Sequence, residues 1–123
     1  MKRITMMLAL LVLSLGLYAA NVNPIATAFT NGNASALENN MDKEVDLSLP
    51  SLTKSCPGSE AIQLLSNFFS ANKPSGFTVV YQAEKKTTGF YVGKLSCGQF
   101  SYRVNITYKI AGDSILIQSI RIE

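Results

Sequence analysis

From Phe100 to Ile110 the side chains alternate without a break. Phe100, Tyr102, Val104, Ile106, Tyr108 and Ile110 fall on one side, and Ser101, Arg103, Asn105, Thr107 and Lys109 on the other. Successive side chains of an extended chain leave from opposite faces, so this period of two specifies a β-strand. One apolar face and one polar face require a sheet that is covered on a single side. The rest of the chain must therefore supply strands beside this one and an apolar layer to cover it.

The neighbouring strands follow from the same pattern. Phe77, Val79 and Tyr81 alternate with Thr78, Val80 and Gln82, and Tyr91, Gly93 and Leu95 share one face of a next strand. Thr87-Thr88-Gly89, Cys97-Gly98 and Ala111-Gly112-Asp113 read as turns, and Ser114 to Glu123 as a last strand. Four consecutive strands joined by tight turns make an antiparallel meander.

The covering layer comes from the N-terminal half. Ser59 is placed to cap a helix from Glu60 to about Asn72, with Glu60 favourable against the positive helix end. Ala61, Leu64, Leu65, Phe68 and Phe69 give it an apolar stripe wide enough to lie on a sheet. Earlier, Pro24 suits the first turn of a helix carrying Ile25, Ala28 and Phe29, which Gly32 ends in a left-handed cap. Asn33 is placed to cap a second short helix through Leu37 to Met41. Val45, Leu47 and Leu49 alternate with Asp46 and Ser48 as a strand, and Leu52 to Cys56 form a short return. Helices followed by an antiparallel run give an α+β domain, with N-terminal helices packed on one face of a curved antiparallel sheet.

Residues 1–20 stand apart. Lys2 and Arg3 precede an apolar run from Ile4 to Leu17, and Ala19 and Ala20 offer small residues for cleavage. This is the pattern of a secretory signal peptide, cut after Ala19 or Ala20. The alternative, an uncleaved anchor, is disfavoured because the run is shorter than the roughly 20 apolar residues that span a bilayer. Membrane contact is then confined to the signal before cleavage, leaving residues 21–123 as a single domain. Without Lys2 and Arg3 the basic excess nearly vanishes, to 9 basic against 8 acidic residues. Lys85-Lys86 is the only basic doublet left, which argues against nucleic acid as a partner.

The order of elements resembles the nuclear-transport-factor-2-like cone, cystatin-like in broad shape. Within it, the chain is similar to domain-of-unknown-function 4783, a family of small secreted bacterial proteins. The residues carrying the likeness are Phe29-Thr-Asn-Gly-Asn-Ala-Ser-Ala-Leu37, Val45-Asp-Leu-Ser-Leu49, the helix around Leu64 to Phe69, Tyr91-Val-Gly-Lys-Leu95, Tyr102-Arg-Val104 and Leu116-Ile-Gln-Ser-Ile-Arg-Ile-Glu123. These are fold-bearing patterns, and a fold of this kind hosts enzymes, binding proteins and structural modules alike. With the signal, the resemblance implies export to the periplasm or cell envelope of a Gram-negative bacterium.

The chain contains no His, which removes His-dependent triads and the commonest metal ligand. No cofactor or metal is expected. Cone-fold isomerases place a carboxylate beside a tyrosine inside the cavity, and Asp46 and Glu44 with Tyr81, Tyr91 and Tyr102 are the candidates here. Asp46 alternates with apolar residues and is expected to point to solvent, which favours a non-catalytic domain. Phe29, Tyr81, Tyr91, Tyr102 and Asp46 are the candidate lining of a small-molecule pocket. The competing reading has Tyr102 and Tyr108 simply filling the core. The leading function is thus binding of a small ligand or a protein partner. An isomerase-like enzyme and a structural envelope protein are the alternatives. Cys56 and Cys97 enter an oxidising compartment, but the topology sets them at opposite ends of the long helix, about 18 Å apart at 1.5 Å per residue. That exceeds the Cα spacing of a bridge, so both are expected to be free. The polar strip of Arg103, Asn105, Thr107 and Lys109 is either a solvated face or the contact of a homodimer.

Overall fold

A computed structural model describes residues 21–123. The signal-peptide reading of residues 1–20 lies outside the described residues. The elements run α1 (Asn23–Asn31), a short 3-10 helix (Ala34–Leu37), β1 (Met41–Leu49), β2 (Leu52–Pro57), α2 (Gly58–Ala71), β3 (Gly76–Glu84), β4 (Thr88–Cys97), β5 (Phe100–Ala111) and β6 (Ser114–Ile122). The strands form one sheet in the order β2-β1-β6-β5-β4-β3. Helices α1 and α2 pack on one of its faces, so the α+β reading holds.

Local chemistry sets most boundaries. Gly32 closes α1 at φ 64°, a left-handed conformation that Gly adopts without a Cβ penalty. Asn33 accepts from the Ser35 N–H and starts the 3-10 turn, which ends at Leu37 rather than Met41. The chain straightens there because the backbone of Asn40 is already taken: the Ile117 N–H donates to the Asn40 carbonyl at 2.7 Å. The buried Asn40 side chain donates to Ser114 Oγ at 3.1 Å and to the Ile115 carbonyl at 3.2 Å. Helix α2 begins at Gly58, with Pro57 rather than Ser59 at its cap.

The sheet is not wholly antiparallel. Strands β3 to β6 form the expected meander, but β1 runs parallel to β6, pairing Leu47 with Ile120. The parallel contact is possible because β2 and α2 return the chain across the covered face before β3 begins. The register shifts in three pairings: between Met41 and Asp46 of β1 against β6, and at single-residue bulges in β6 and β3 that reset the side-chain phase. In β6, Thr107 pairs with Ser119 and Tyr108 with Ile117, leaving Gln118 unmatched, so Ile117 and Ile120 both turn inward. In β3, Val79 pairs with Gly93 and Tyr81 with Val92, leaving Val80 unmatched.

The core lies between the helices and the covered face. Val45, Leu47, Leu95, Val104, Ile106, Ile115 and Ile120 come from the sheet, and Ile25, Phe29, Ala61, Leu65 and Phe69 from the helices. Its centre is a run of rings: Tyr91 stacks on Phe77, Phe77 on Phe29, and Phe29 meets Phe69 edge-on at 5.4 Å. Phe68 and Tyr102 extend the run to the far end of α2, where the Tyr102 hydroxyl donates to Asn72 Oδ1. Cys56 and Cys97 are both buried and unpaired. Strands β1, β6 and β5 stand between β2 and β4, a separation of about 19 Å at 4.7–4.9 Å per strand.

Candidate functional site

The residues singled out from the sequence do not converge on one pocket. Phe29 and Tyr91 are fully buried in the ring stack, and Tyr102 is half-buried at its end. Phe29 and Tyr91 are brought together as core, whereas Tyr102 also contributes to the lining of an open-face cleft. Tyr81 is the clear correction. The Val80 bulge inverts the phase of β3, so Tyr81 lies opposite Val92 on the open face, 56% exposed. Asp46 is on the open face as expected, accepting from the Ser55 hydroxyl on β2. Glu44 is also exposed.

The same bulge brings two residues inward that the alternation had placed outside or not considered. Gln82 and Glu84 now share the covered face with Tyr91 and Gly89, and both reach Tyr108 across β4. The Tyr108 hydroxyl donates to Glu84 Oε2 at 2.7 Å and accepts from Gln82 Nε2 at 3.4 Å. This carboxylate–tyrosine pair is the arrangement that an isomerase-like chemistry would need, yet Tyr108 is completely buried. It also lies flat against Gly89, where no Cβ would fit beside its ring.

Burial, with the Glu84 carboxylate accepting its proton, holds the Tyr108 hydroxyl far above the ordinary tyrosine value of 10.0. Burial pushes Tyr91 in the same direction. The unfolded chain loses these protons near pH 10 while the folded one retains them. Stability is therefore expected to be level below about pH 10 and to fall above it, by about 1.4 kcal/mol per pH unit for each such tyrosine. Urea unfolding at successive alkaline pH values checks this, and Tyr108→Phe should flatten the slope. Burial likewise raises the Cys56 and Cys97 thiols, which disfavours the reactive thiolate.

The open face carries the more accessible constellation. Reading across the strands, one row runs Thr53, Ser48, Arg121, Asn105, Val92, Tyr81, and the next places Lys94 directly opposite Arg103. Arg103, Asn105, Thr107 and Lys109 are exposed or half-buried there, as their alternation implied. Like charges directly opposite on adjacent strands are unfavourable, by roughly 0.2–1 kcal/mol. The backbone of Glu123 exchanges both hydrogen bonds with that of Arg103, and its carboxylate sits 3.3 Å from Arg121 Nε. Val80, Val92, Lys94, Tyr102, Arg103 and Glu123 are among the residues lining a shallow cleft of about 490 Å³, so Tyr102 is the sequence-predicted lining residue found there. Beside it stand Val80 at 65%, Tyr81 at 56% and Phe90 at 40% exposure. An apolar floor with two cations at its rim can hold an anion that carries an apolar body. The alternation of β5 marked Arg103 only as part of a polar strip. Lys94 became visible once the register set the two cations side by side.

Helices laid on one face of a bulged six-stranded sheet, with the other face open, define a nuclear-transport-factor-2-like domain. An NTF2-like protein of unknown function from Silicibacter pomeroyi superposes with a TM-score of 0.60 at 12% identity, over 83% of this chain and 87% of that one. The chain belongs to the DUF4783 family, a domain of unknown function whose model matches residues 22–123. A DUF4783 family protein from Bacteroides ovatus is 30% identical, with a TM-score of 0.74 over 80% of this chain and 90% of that one. One from Bacteroides uniformis is 26% identical, with a TM-score of 0.78 over 84% and 95%. A comparison with curated proteins gives no match.

Proposed function

We propose that this chain is an exported, non-catalytic binding domain of the cell envelope, whose open sheet face receives a partner bearing a carboxylate or similar anion next to an apolar body. The observation that carries it is the Lys94–Arg103 opposition in the apolar cleft. Two adjacent cations that cost stability in the free protein become favourable once an anion bridges them. The export half of the reading is supported by the signal pattern in residues 1–20 and by a family match that begins at residue 22. The Glu84–Tyr108 pair is the one feature that speaks for an isomerase-like enzyme, and its complete burial favours binding instead.

The double variant Lys94→Gln/Arg103→Gln separates a binding role from a merely structural one. It is expected to gain a few tenths of a kcal/mol in stability as the repulsion is relieved. It should also lose the thermal stabilisation that octanoate gives the parent, while octanol stabilises neither. Equal response of parent and variant to octanoate, or none in either, counts against the cleft. Intact-mass measurement of the chain expressed with its N-terminus should show loss of residues 1–19 or 1–20. Native mass spectra and light scattering of the same material distinguish a retained ligand from a second copy on the open face.

A further inference from the structure

We infer that the β3–β5 end of the open face docks on a lipid surface that carries anionic headgroups. The inference rests on the open-face reading above and names its partner. It also extends membrane contact beyond residues 1–20, to which the sequence pattern alone confined it.

Charge is segregated along the chain, and so across the sheet. Between Gly76 and Ala111, the span of β3, β4 and β5, stand Lys85, Lys86, Lys94, Arg103 and Lys109, all exposed. The single acid of that stretch, Glu84, is bonded to Tyr108 on the covered face. Between Ala34 and Glu60 the balance is reversed, with Glu38, Asp42, Glu44, Asp46 and Glu60 against Lys43 and Lys54. Basic and acidic residues that nearly balance in number are thus sorted to opposite sides, and such a domain turns its positive end to an anionic surface.

The positive end is also where apolar side chains reach solvent. Val80, Tyr81 and Phe90 are exposed there. The outward residues of β4 run Thr88, Phe90, Val92 and Lys94, a span of about 20 Å at 3.4 Å per residue. Lys94 opposite Arg103 closes one end of that run, and Lys109 opposite Thr88 closes the other, beside the Lys85-Lys86 turn. Two hollows lie along it: the cleft at Lys94 and Arg103, and one of about 190 Å³ lined by Ala83, Lys85, Phe90 and Thr107 among others. Each sets an apolar wall beside a lysine. A site repeated in this way suits a layer of like amphiphiles better than one polypeptide. Four of the five cations are lysines, point charges that meet a phosphate from any side, whereas a guanidinium fork matches one fixed partner geometry. Tyrosine is characteristic of the membrane–water interface. Adsorption then combines burial of apolar area with the attraction of each basic residue to anionic headgroups.

The test uses residues 21–123, which carry the six strands and both helices, and vesicles of phosphatidylcholine with or without phosphatidylglycerol. The chain contains no tryptophan, so Val80→Trp and Thr53→Trp each supply a single emitter, one at the positive end and one on exposed β2. At low salt the protein should bind the phosphatidylglycerol vesicles roughly tenfold more tightly than the others, and added salt should release it. Val80→Trp emission should shift to the blue and be quenched by brominated lipid, while Thr53→Trp is unaffected. Lys85→Gln/Lys86→Gln should weaken vesicle binding by about tenfold or more. Equal binding to both vesicle types, binding to neither, or a shift at Thr53→Trp in place of Val80→Trp each overturns the assignment. So does retention on poly-glutamate with no shift on vesicles, which marks an acidic polypeptide as the partner, or a dimer with blue-shifted Val80→Trp emission in vesicle-free solution. Octanoate tells this failure from that of the reading beneath it. Octanoate stabilisation that depends on Lys94 and Arg103, without vesicle binding, keeps the cleft and removes the lipid surface. Vesicle binding at Val80→Trp without an octanoate effect keeps the open face as the docking surface and removes the cleft as a site for a single anion.

Discussion

Replacing Phe29 by alanine is expected to destabilise the domain by about 3–5 kcal/mol, the range for deleting a buried aromatic ring. Phe29 is fully buried and holds the middle of the ring stack, edge-on to Phe69 of α2 and stacked at 5.3 Å on Phe77 of β3. Few other side chains touch both helices and the sheet in this way. The neighbours cannot close the gap cheaply, because Phe77 is itself wedged over Gly93 and against Tyr91. A domain of this size has a stability of about 5–15 kcal/mol, so the variant would sit near the edge of folding at ordinary temperature. Urea unfolding reads the loss as a lower midpoint with an unchanged slope. A loss below about 1 kcal/mol would mean the stack is not the centre of the core.

The second large effect is expected at Gly89. A Cβ built there lies 2.2 Å from Tyr108 Cζ and 2.3 Å from Cε2, inside any tolerable contact. The ring cannot withdraw, since its hydroxyl is held by Glu84 and Gln82 and the residue is wholly buried. Gly89→Ala should therefore cost about 1–3 kcal/mol or more through overpacking alone, because Gly89 has no positive φ and so no backbone strain to add. Tyr108→Phe would rescue little, as Cζ and Cε2 remain. Tyr108→Leu in the Gly89→Ala background should recover most of the clash, giving a coupling energy of about 0.5–3 kcal/mol in a double-mutant cycle. Gly76→Ala is the control, with open space around its Cβ position and no positive φ. If Gly89→Ala behaved like Gly76→Ala, the close packing of Tyr108 on β4 would be wrong.

Gly89 also shows where reading residues in order falls short. Glycine beside Thr87-Thr88 signals a turn, but the turn closes one step earlier, at Lys85-Lys86-Thr87, and Gly89 serves as the hollow that receives a ring from the next strand. Gly98 and Gly112 were legible because their role is local: each sits at a tight turn with φ 65° and 64°. The α2 stripe was legible for a similar reason, since Ala61, Leu65, Phe68 and Phe69 are its buried face. The phase of β3 was hidden, because one unmatched Val80 reverses every later side chain and nothing in the Thr-Val-Val-Tyr run marks which residue is extra. The candidate site shared that difficulty. Tyr81 moved outward, Gln82 and Glu84 moved inward, and the Lys94–Arg103 opposition required the β4–β5 register, which no residue spacing states.

The place of β6 in the sheet has one more consequence. Strand β6 lies between β1 and β5, and among the described residues it is the strand that joins the β1–β2 ribbon to the meander. Until it is present, β1 and β2 form a two-stranded ribbon that is marginal by itself, and the Asn40 side chain lacks its acceptors on Ser114 and Ile115. The sheet of the described residues thus cannot be completed before β6 emerges, so its closure waits on a contact between segments far apart in the chain.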